Sequence, residues 1–346
     1  CWIRPSPGEC NTNGIGAGGM RKVLVTTVPF GDRVRLPLDL LEAAGVEYVI
    51  NPLGRKLKED ELAEMAVDFE VLIAGTEPIT EKVMSRAPGL RMISRVGIGL
   101  DSVDLLAAER RGITVSYTPD APAPAVAELT IGLMFSLMRS IHVANAQMHM
   151  GEWRRHFGRR VSELTIGVMG AGRIGGRVLR HLAALGAGRL LVNDTNPECR
   201  LDSTMPGEWV EKDALYREAD IVSLHVPLTA QTKNMVRREQ LLGMKPDAMI
   251  VNTARGGIIN EADLAEVLRA GHLGGAAVDV FCEEPYNGEL SSIERCLLTS
   301  HMVSMSIDCR TRMEMEATEE AIRYLAGAPL QGVVPPAEYQ VQREGL

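Results

Sequence analysis

Residues 164–194 read LTIGVMGAGRIGGRVLRHLAALGAGRLLVND. The stretch opens with a short apolar run of strand length, Leu164 to Met169, and turns at once through Gly170-Ala171-Gly172-Arg173-Ile174-Gly175. Val178, Leu179, Leu182 and Leu185 then recur at helical spacing, and Gly186 and Gly188 end the pattern. Leu190, Leu191 and Val192 form a second strand that stops at Asp194. Strand, glycine turn, helix, strand and acid together are the pattern of a dinucleotide-binding unit. Gly170 permits the tight turn off the strand. Gly172 offers no side chain, so a pyrophosphate can approach the backbone, and Gly175 lets the helix pack closely. The free N–H groups and dipole at the helix start attract phosphate.

The composition around this unit is that of an ordinary globular enzyme. The chain has 346 residues, 45% hydrophobic and 24% charged, which is enough for two lobes of common domain size. A net charge of −8 argues against a nucleic-acid surface. No apolar run reaches the roughly 18 residues of a membrane helix, so no membrane partner is expected. Cys1, Cys10, Cys199, Cys282, Cys296 and Cys309 show no metal-binding spacing; they read as reduced thiols of a cytoplasmic protein, with no zinc site and no disulfide framework. Residues 1–19 are rich in Gly and Asn and lack a signal-peptide core, so they read as a disordered extension ahead of Met20.

Upstream of the glycine turn the chain alternates between strands (around 23–25, 48–50, 71–74, 92–96 and 113–116) and helices (36–44, 59–65, 79–84 and 103–111). That alternation implies one complete parallel sheet with helices on both faces before the glycine motif is reached. Pro119, Pro122 and Pro124 break the pattern and mark a lobe boundary, and an apolar helix over 126–138 follows, carrying Glu128 near its start. Residues 151–160 hold Trp153, His156 and four arginines, and read as a solvated or intersubunit arm. A second strand–helix series then continues to about residue 301. The expected fold class is α/β, with two doubly wound parallel-sheet lobes.

Polar residues repeatedly follow the carboxyl ends of the later strands, the edge at which open α/β sheets bind ligands. Three of them form a chemical set. Arg255 offers a planar fork that matches a carboxylate. His301 can exchange a proton near neutral pH, and Glu284 can orient its ring and favour its charged form. With a nicotinamide nearby, the set suits reduction of a 2-keto acid, Arg255 holding the substrate carboxylate and His301 supplying the proton.

Several blocks in a fixed order then carry a family resemblance: Arg95-Val96-Gly97-Ile98-Gly99-Leu100-Asp101 with Val103-Asp104, Val126-Ala127-Glu128-Leu129-Thr130, the glycine turn, His225-Val226-Pro227-Leu228-Thr229, residues 252–257, Asp279-Val280-Phe281, Glu284-Pro285 and His301. From Met20 to about Val334 the chain resembles the D-isomer-specific 2-hydroxyacid dehydrogenases. The resemblance implies a Rossmann-type cofactor domain (residues 119–301) inserted into a flavodoxin-like substrate domain (residues 20–118 and 302–346), the latter completed by a returning helix over about 304–325. It implies catalytic roles for Arg255, Glu284 and His301, and backbone N–H groups at Val96, Gly97, Ile98 and Gly99 for the substrate carboxylate. It places the cofactor on Gly170, Gly172, Gly175, Arg173 and Ile174 (pyrophosphate), Asp194 (adenosine ribose), His225, Pro227 and Thr232 (adenosine side), and Thr253, Ala254 and Asp279 (nicotinamide side). It also implies a homodimer joined through the cofactor domain, with the Trp153 region as the interface.

Charge selects the cofactor. The Asp194 carboxylate can accept from both ribose hydroxyls and repels a 2′-phosphate, and Thr195, Asn196 and Pro197 follow with no adjacent arginine, so NAD is expected. The chain departs from the family at one place. Ser300 stands where proline is usual before the catalytic His, and Met302, Val303, Ser304 and Met305 follow it where small residues are usual. An altered substrate pocket is expected there, and the identity of the small 2-keto or 2-hydroxy acid stays open. Arg95 reads either as a reader of a phosphate or second carboxylate, or as a surface salt bridge. An NAD(H)-sensing, corepressor-like protein on the same fold is the alternative function.

Overall fold

The computed structural model describes residues 22–196, 199 and 204–344. The extension expected over residues 1–19 lies outside the described residues, as do Cys1, Cys10 and Pro197. Within them the chain forms two parallel sheets.

The first sheet holds β1 (Lys22–Val25), β2 (Glu47–Ile50), β3 (Val71–Ala74), β4 (Met92–Arg95) and β5 (Thr114–Tyr117), in the order β2-β1-β3-β4-β5 with every pairing parallel. β3 and β4 are buried along their whole length, β3 as a continuous apolar strand and β4 with Ser94 and Arg95 buried at its carboxyl end. Their alternate side chains feed two cores. Leu24, Leu72, Ile93 and Val115 point to one, and Val23, Val25, Val71, Ile73 and Met92 to the other. Each such fully buried aliphatic side chain is worth roughly 1.5–3 kcal/mol of transfer free energy. The strand order reverses between β1 and β3, which opens a crevice at the carboxyl edge.

The second sheet holds β6 (Thr165–Met169), β7 (Arg189–Asn193), β8 (Glu208–Trp209), β9 (Ile221–Leu224), β10 (Met249–Asn252), β11 (Gly275–Val278) and β12 (Cys296–Leu298). Its order is β12-β11-β10-β9-β6-β7-β8, all parallel, with the reversal between β6 and β9. That is the dinucleotide-binding order, and the glycine turn lies at the switch point after β6.

Two helices follow the points where the chain passes from the first sheet to the second and back. Ala123–Met138 packs against the helix Gly175–Ala184 and against β10 and β11. It begins three residues before the expected start, because Pro124 falls in the first turn, where a missing N–H costs nothing. The chain returns through Ile307–Leu325, which packs on β3, β4, β5 and the helix Leu36–Ala43; Ser94 Oγ of β4 donates to Ala317 O at 2.8 Å. After it, residues 332–334 run antiparallel along the edge of β5, and a final helix, Pro336–Arg343, packs on Leu105–Arg110. The sequence reading did not anticipate that last helix. Pro335-Pro336 looks like a break, yet Pro336 opens the helix in its first turn. No single helix among the described residues is long and apolar enough to cross a membrane.

Candidate active site

The carboxyl edges of the two sheets face one cleft of about 490 Å³. Of the residues singled out in the sequence, Arg173, Ile174, His225, Pro227, Thr253, Ala254, Arg255, Glu284, His301, Val96, Gly97, Ile98 and Gly99 line it. Gly170, Gly172, Gly175, Asp194, Thr232 and Asp279 stand behind that wall or beyond it.

The three glycines of the turn differ in what they face. A Cβ on Gly170 would lie 2.4 Å from His225 O, and the residue has φ +91°, so only glycine fits there. A Cβ on Gly175 would meet Gly170 O at 1.8 Å, so this glycine closes the helix onto the turn itself. A Cβ on Gly172 would meet nothing within 4 Å. Gly172 therefore borders open space, as a cradle for a ligand requires, and no side chain caps the helix that starts beside it. Arg173 reaches out to Asp120 (Nε to Oδ1 2.8 Å), half exposed at the cleft mouth.

Asp194 follows β7 as expected, but its carboxylate is already engaged. One oxygen accepts from the Ala171 N–H of the turn (2.6 Å) and the other from Asn196 N–H (2.7 Å). A carboxylate has about four acceptor positions, so two remain for ribose hydroxyls. His225 shares a hydrogen bond with Ser223 through Nε2 (2.8 Å), its Nδ1 has no partner, and burial pushes its pKa down to about 3. The ring is neutral, with one nitrogen left for a ligand. Thr232 spends its hydroxyl inside its own loop, donating to Pro227 O at 2.6 Å. Thr253 shares a hydrogen bond with Thr130 on the crossing helix (2.9 Å).

Across the cleft, β12 runs into His301. Its Nδ1 lies 2.9 and 3.1 Å from the two oxygens of Glu284, which also accepts from Phe281 N–H (3.2 Å). Burial works against the ionised Glu284, but the hydrogen bond and charge of His301 outweigh it and hold the carboxyl below its usual range. His301 has φ +50°, an unusual conformation for a residue with a side chain. Asp279 secures that bend from behind. Fully buried, its carboxylate accepts from Thr299 Oγ1 (2.5 Å), Met302 N–H (2.9 Å) and Val303 N–H (3.3 Å), and burial raises its pKa. Val303, Ser304 and Met305 line the cleft directly, so the residues that depart from the family pattern shape its wall.

Arg255 enters from β10. Its Nε donates to Asp101 Oδ1 (2.8 Å) and its Nη1 to Ala254 O (2.7 Å), and a Cβ on Gly99 would collide with Nη2 at 1.7 Å. The guanidinium thus lies against the loop after β4. Burial opposes the charge of Asp101, but Arg255 prevails and its carboxyl is held below the usual range. Sequence reasoning gave Asp101 no role, although it stands in the Gly97-Ile98-Gly99-Leu100-Asp101 block, the signal that could have found it. The same loop narrows the expected carboxylate-binding edge. Val96 N–H is committed to Ala74 O (2.8 Å), and Gly97 N–H to Thr118 Oγ1 (2.8 Å) and Arg95 O (3.1 Å). Among the described residues, Ile98 and Gly99 N–H have no protein partner.

Arg95 makes no surface salt bridge. It is 5% exposed, its guanidinium packs under Gly97 and donates to Val96 O, its Nε has no partner, and burial pulls its pKa down to about 10. Of the cysteines, Cys282, Cys296 and Cys309 are free thiols, and no group of three or more metal-ligating side chains occurs among the described residues.

Residues 131–303 match the family model described as "D-isomer specific 2-hydroxyacid dehydrogenase, NAD binding domain". A hydroxypyruvate reductase of Thermotoga maritima is 35% identical over 276 residues, covering 78% of this chain and 89% of that protein. A D-3-phosphoglycerate dehydrogenase of Methanocaldococcus jannaschii is 36% identical over 321 residues, 91% of this chain but 59% of that longer protein. Among solved structures, the TT0316 protein of Thermus thermophilus superposes with a TM-score of 0.83 at 34% identity, covering 91% of this chain and all of the other.

Proposed function

The chain belongs to the D-isomer-specific 2-hydroxyacid dehydrogenase family, whose NAD-binding domain it carries, and we propose that its cleft reduces a small 2-keto acid and, in reverse, oxidises the D-2-hydroxy acid. The observation that carries this reading is the His301–Glu284 pair lining the same cleft as Arg255 and the unpartnered N–H groups of Ile98 and Gly99.

The residues present fit the cofactor. Gly172 leaves the cradle open, the helix start beside it is uncapped, and His225 keeps a free ring nitrogen. Arg173, Ile174 and the glycine turn would hold the pyrophosphate, Asp194 the adenosine ribose, and Thr253 and Ala254 the nicotinamide end. Asp194 repels a 2′-phosphate and so favours NADH over NADPH. When bound, NADH supplies the hydride.

The protein's own residues do the rest. Arg255, held by Asp101, grips the substrate carboxylate together with Ile98 and Gly99 N–H. Because Glu284 occupies Nδ1 of His301, Nε2 is the nitrogen that exchanges a proton with the substrate oxygen. The Glu284 carboxylate fixes the orientation and tautomer of the ring, as the carboxylate of a catalytic triad does. Val303 and Met305 narrow the space left for the substrate's side chain.

Association completes the reading. Trp153 is 78% and Phe157 104% exposed, and Ile141, Met148 and Met150 are exposed nearby. An apolar group of this kind suits a dimer through the cofactor domain, and sedimentation or light scattering at twice the 37.6 kDa chain mass is expected. The activity is tested with a panel of glyoxylate, pyruvate, hydroxypyruvate, 3-phosphohydroxypyruvate and bulkier 2-keto acids, following NADH oxidation. Turnover of at least one is expected. NADH binding with no turnover of any would instead favour a cofactor-sensing protein.

A further inference from the structure

The helix Pro336–Arg343 has no part in the chemistry described above, yet Glu338, Val341 and Gln342 line the same cleft as Arg255 and His301. We propose that Gln342 is a positioning residue for the loop that receives the substrate carboxylate. The proposal rests on the reading of Ile98 and Gly99 as that receiving edge.

Gln342 makes the contacts of a purpose-shaped clamp. Its Oε1 accepts from Leu105 N–H at 2.9 Å, and its Nε2 donates to Val103 O at 2.8 Å and reaches Leu100 O at 3.5 Å. Leu105 is the first residue of the helix Leu105–Arg110. The cap residue Asp104 serves only the Ala107 N–H, so Gln342 satisfies a helix-start donor that the local sequence leaves open. At the other end of the loop, Thr118 Oγ1 accepts from Gly97 N–H. Beside the backbone bonds of Ile79 N–H to Ser102 O (2.7 Å) and of Asp104 N–H to Ile79 O (3.0 Å), the segment from Gly97 to Leu105 thus has a side-chain anchor near each end. Ile98, Gly99 and Asp101, the carboxylate that holds Arg255, lie between them.

The clamp is itself held to the first sheet. Val334 N–H donates to Val115 O at 3.0 Å, Gly332 N–H donates to Glu320 at 2.9 Å, and Arg343 pairs with Glu109 at 2.6 Å. The loop's position is thus referred to the sheet edge through the C-terminal helix, whose contacts to the loop span 237 to 242 residues of sequence. Without the Gln342 amide, Leu105 N–H and Val103 O lose these partners and the Ile79 bonds alone hold that end of the loop, so Ile98 and Gly99 are presented to the substrate carboxylate less firmly.

The test uses the full chain carrying Gln342→Ala and, separately, Gln342→Glu. With the best 2-keto acid of the panel, Gln342→Ala is expected to raise KM about tenfold, with kcat changed less than about threefold and the NADH Kd within about twofold by direct titration. Hydrogen exchange at the Leu105 amide should speed up in the same variant. Gln342→Glu keeps the acceptor but sets a carboxylate against Val103 O. Its KM relative to wild type should be raised near pH 8 and recover as the pH falls and the side chain regains a donor. A Gln342→Ala protein with wild-type melting and wild-type KM overturns the proposal. So does a loss of NADH affinity equal to the rise in KM, or a Gln342→Glu defect that is the same at every pH. A wild-type protein that turns over no 2-keto acid removes the underlying reading, a result distinct from any of these.

Discussion

The two sides of the cleft are built by different means. On the proposed cofactor side, backbone geometry makes the site: Gly170 and Gly175 are required because any Cβ would strike main chain at 2.4 and 1.8 Å, and Gly172 is open. On the proposed substrate side, side chains from distant parts of the sequence make it: Arg255 is held by Asp101, 154 residues away, and the loop carrying Asp101 is bonded by Gln342. A cradle made by sterics is local and follows from a short motif. A receiving edge made by long-range polar pairs depends on the whole fold and can be altered one side chain at a time.

The sharpest way to break the contrast is at its substrate end. Arg255→Ala should lower kcat/KM by about three orders of magnitude while leaving NADH binding near wild type, because a bidentate carboxylate grip is lost but the glycine cradle is not. Steady-state kinetics and an NADH titration check both halves. An equal loss of NADH affinity would show that the two sides are not separable.

Within the cradle, two alanine substitutions should differ. Gly175→Ala forces a Cβ onto Gly170 O and should cost about 3 kcal/mol of stability. Gly172→Ala fills open space, so its stability should stay within about 0.5 kcal/mol of wild type while NADH affinity falls. Denaturant titration of the apoprotein separates them. Similar destabilisation by both would remove the distinction drawn among the glycines.

A smaller effect comes from His225, which borders the cofactor side. Its folded pKa of about 3 lies below the ordinary value of 6.5, so below pH 6.5 the unfolded chain takes up a proton that the native protein refuses. Stability is therefore lost as pH falls through that window. Between pH 6.5 and 5 the wild type should lose about 2 kcal/mol more than His225→Gln. Parallel slopes in urea titrations at the two pH values would count against a buried neutral ring. Smallest of all, Asp101→Asn should raise KM for the keto acid about tenfold, since Arg255 keeps its charge but loses the carboxylate that aims it. An unchanged KM would assign Asp101 to the fold alone.

What was legible in the sequence follows the same division. The glycine turn and Asp194 could be read directly, because a tight turn, a close helix approach and an acid at the end of the next strand are local demands on residue type. Both sheets emerged from the alternation of apolar runs, whereas a proline in the first turn displaced one helix start, at Pro124, and hid another helix altogether, at Pro336. Arg255, Glu284 and His301 could be picked out as chemically apt, but only the family blocks joined them into one site. Asp101's hold on Arg255, the commitment of the Val96 and Gly97 N–H groups, the burial of Arg95 and the reach of Gln342 were not legible. Each depends on which side chains meet across more than one element, and no spacing in the chain encodes that.

The most direct test of the central claim, that His301 is the proton-exchanging group beside a separately built cofactor cradle, is a single-turnover experiment on His301→Ala with NADH already bound. Wild-type NADH affinity is expected, with a rate of keto-acid reduction lower by about 10²–10⁴. A variant that still reduces the acid at the wild-type rate would contradict it.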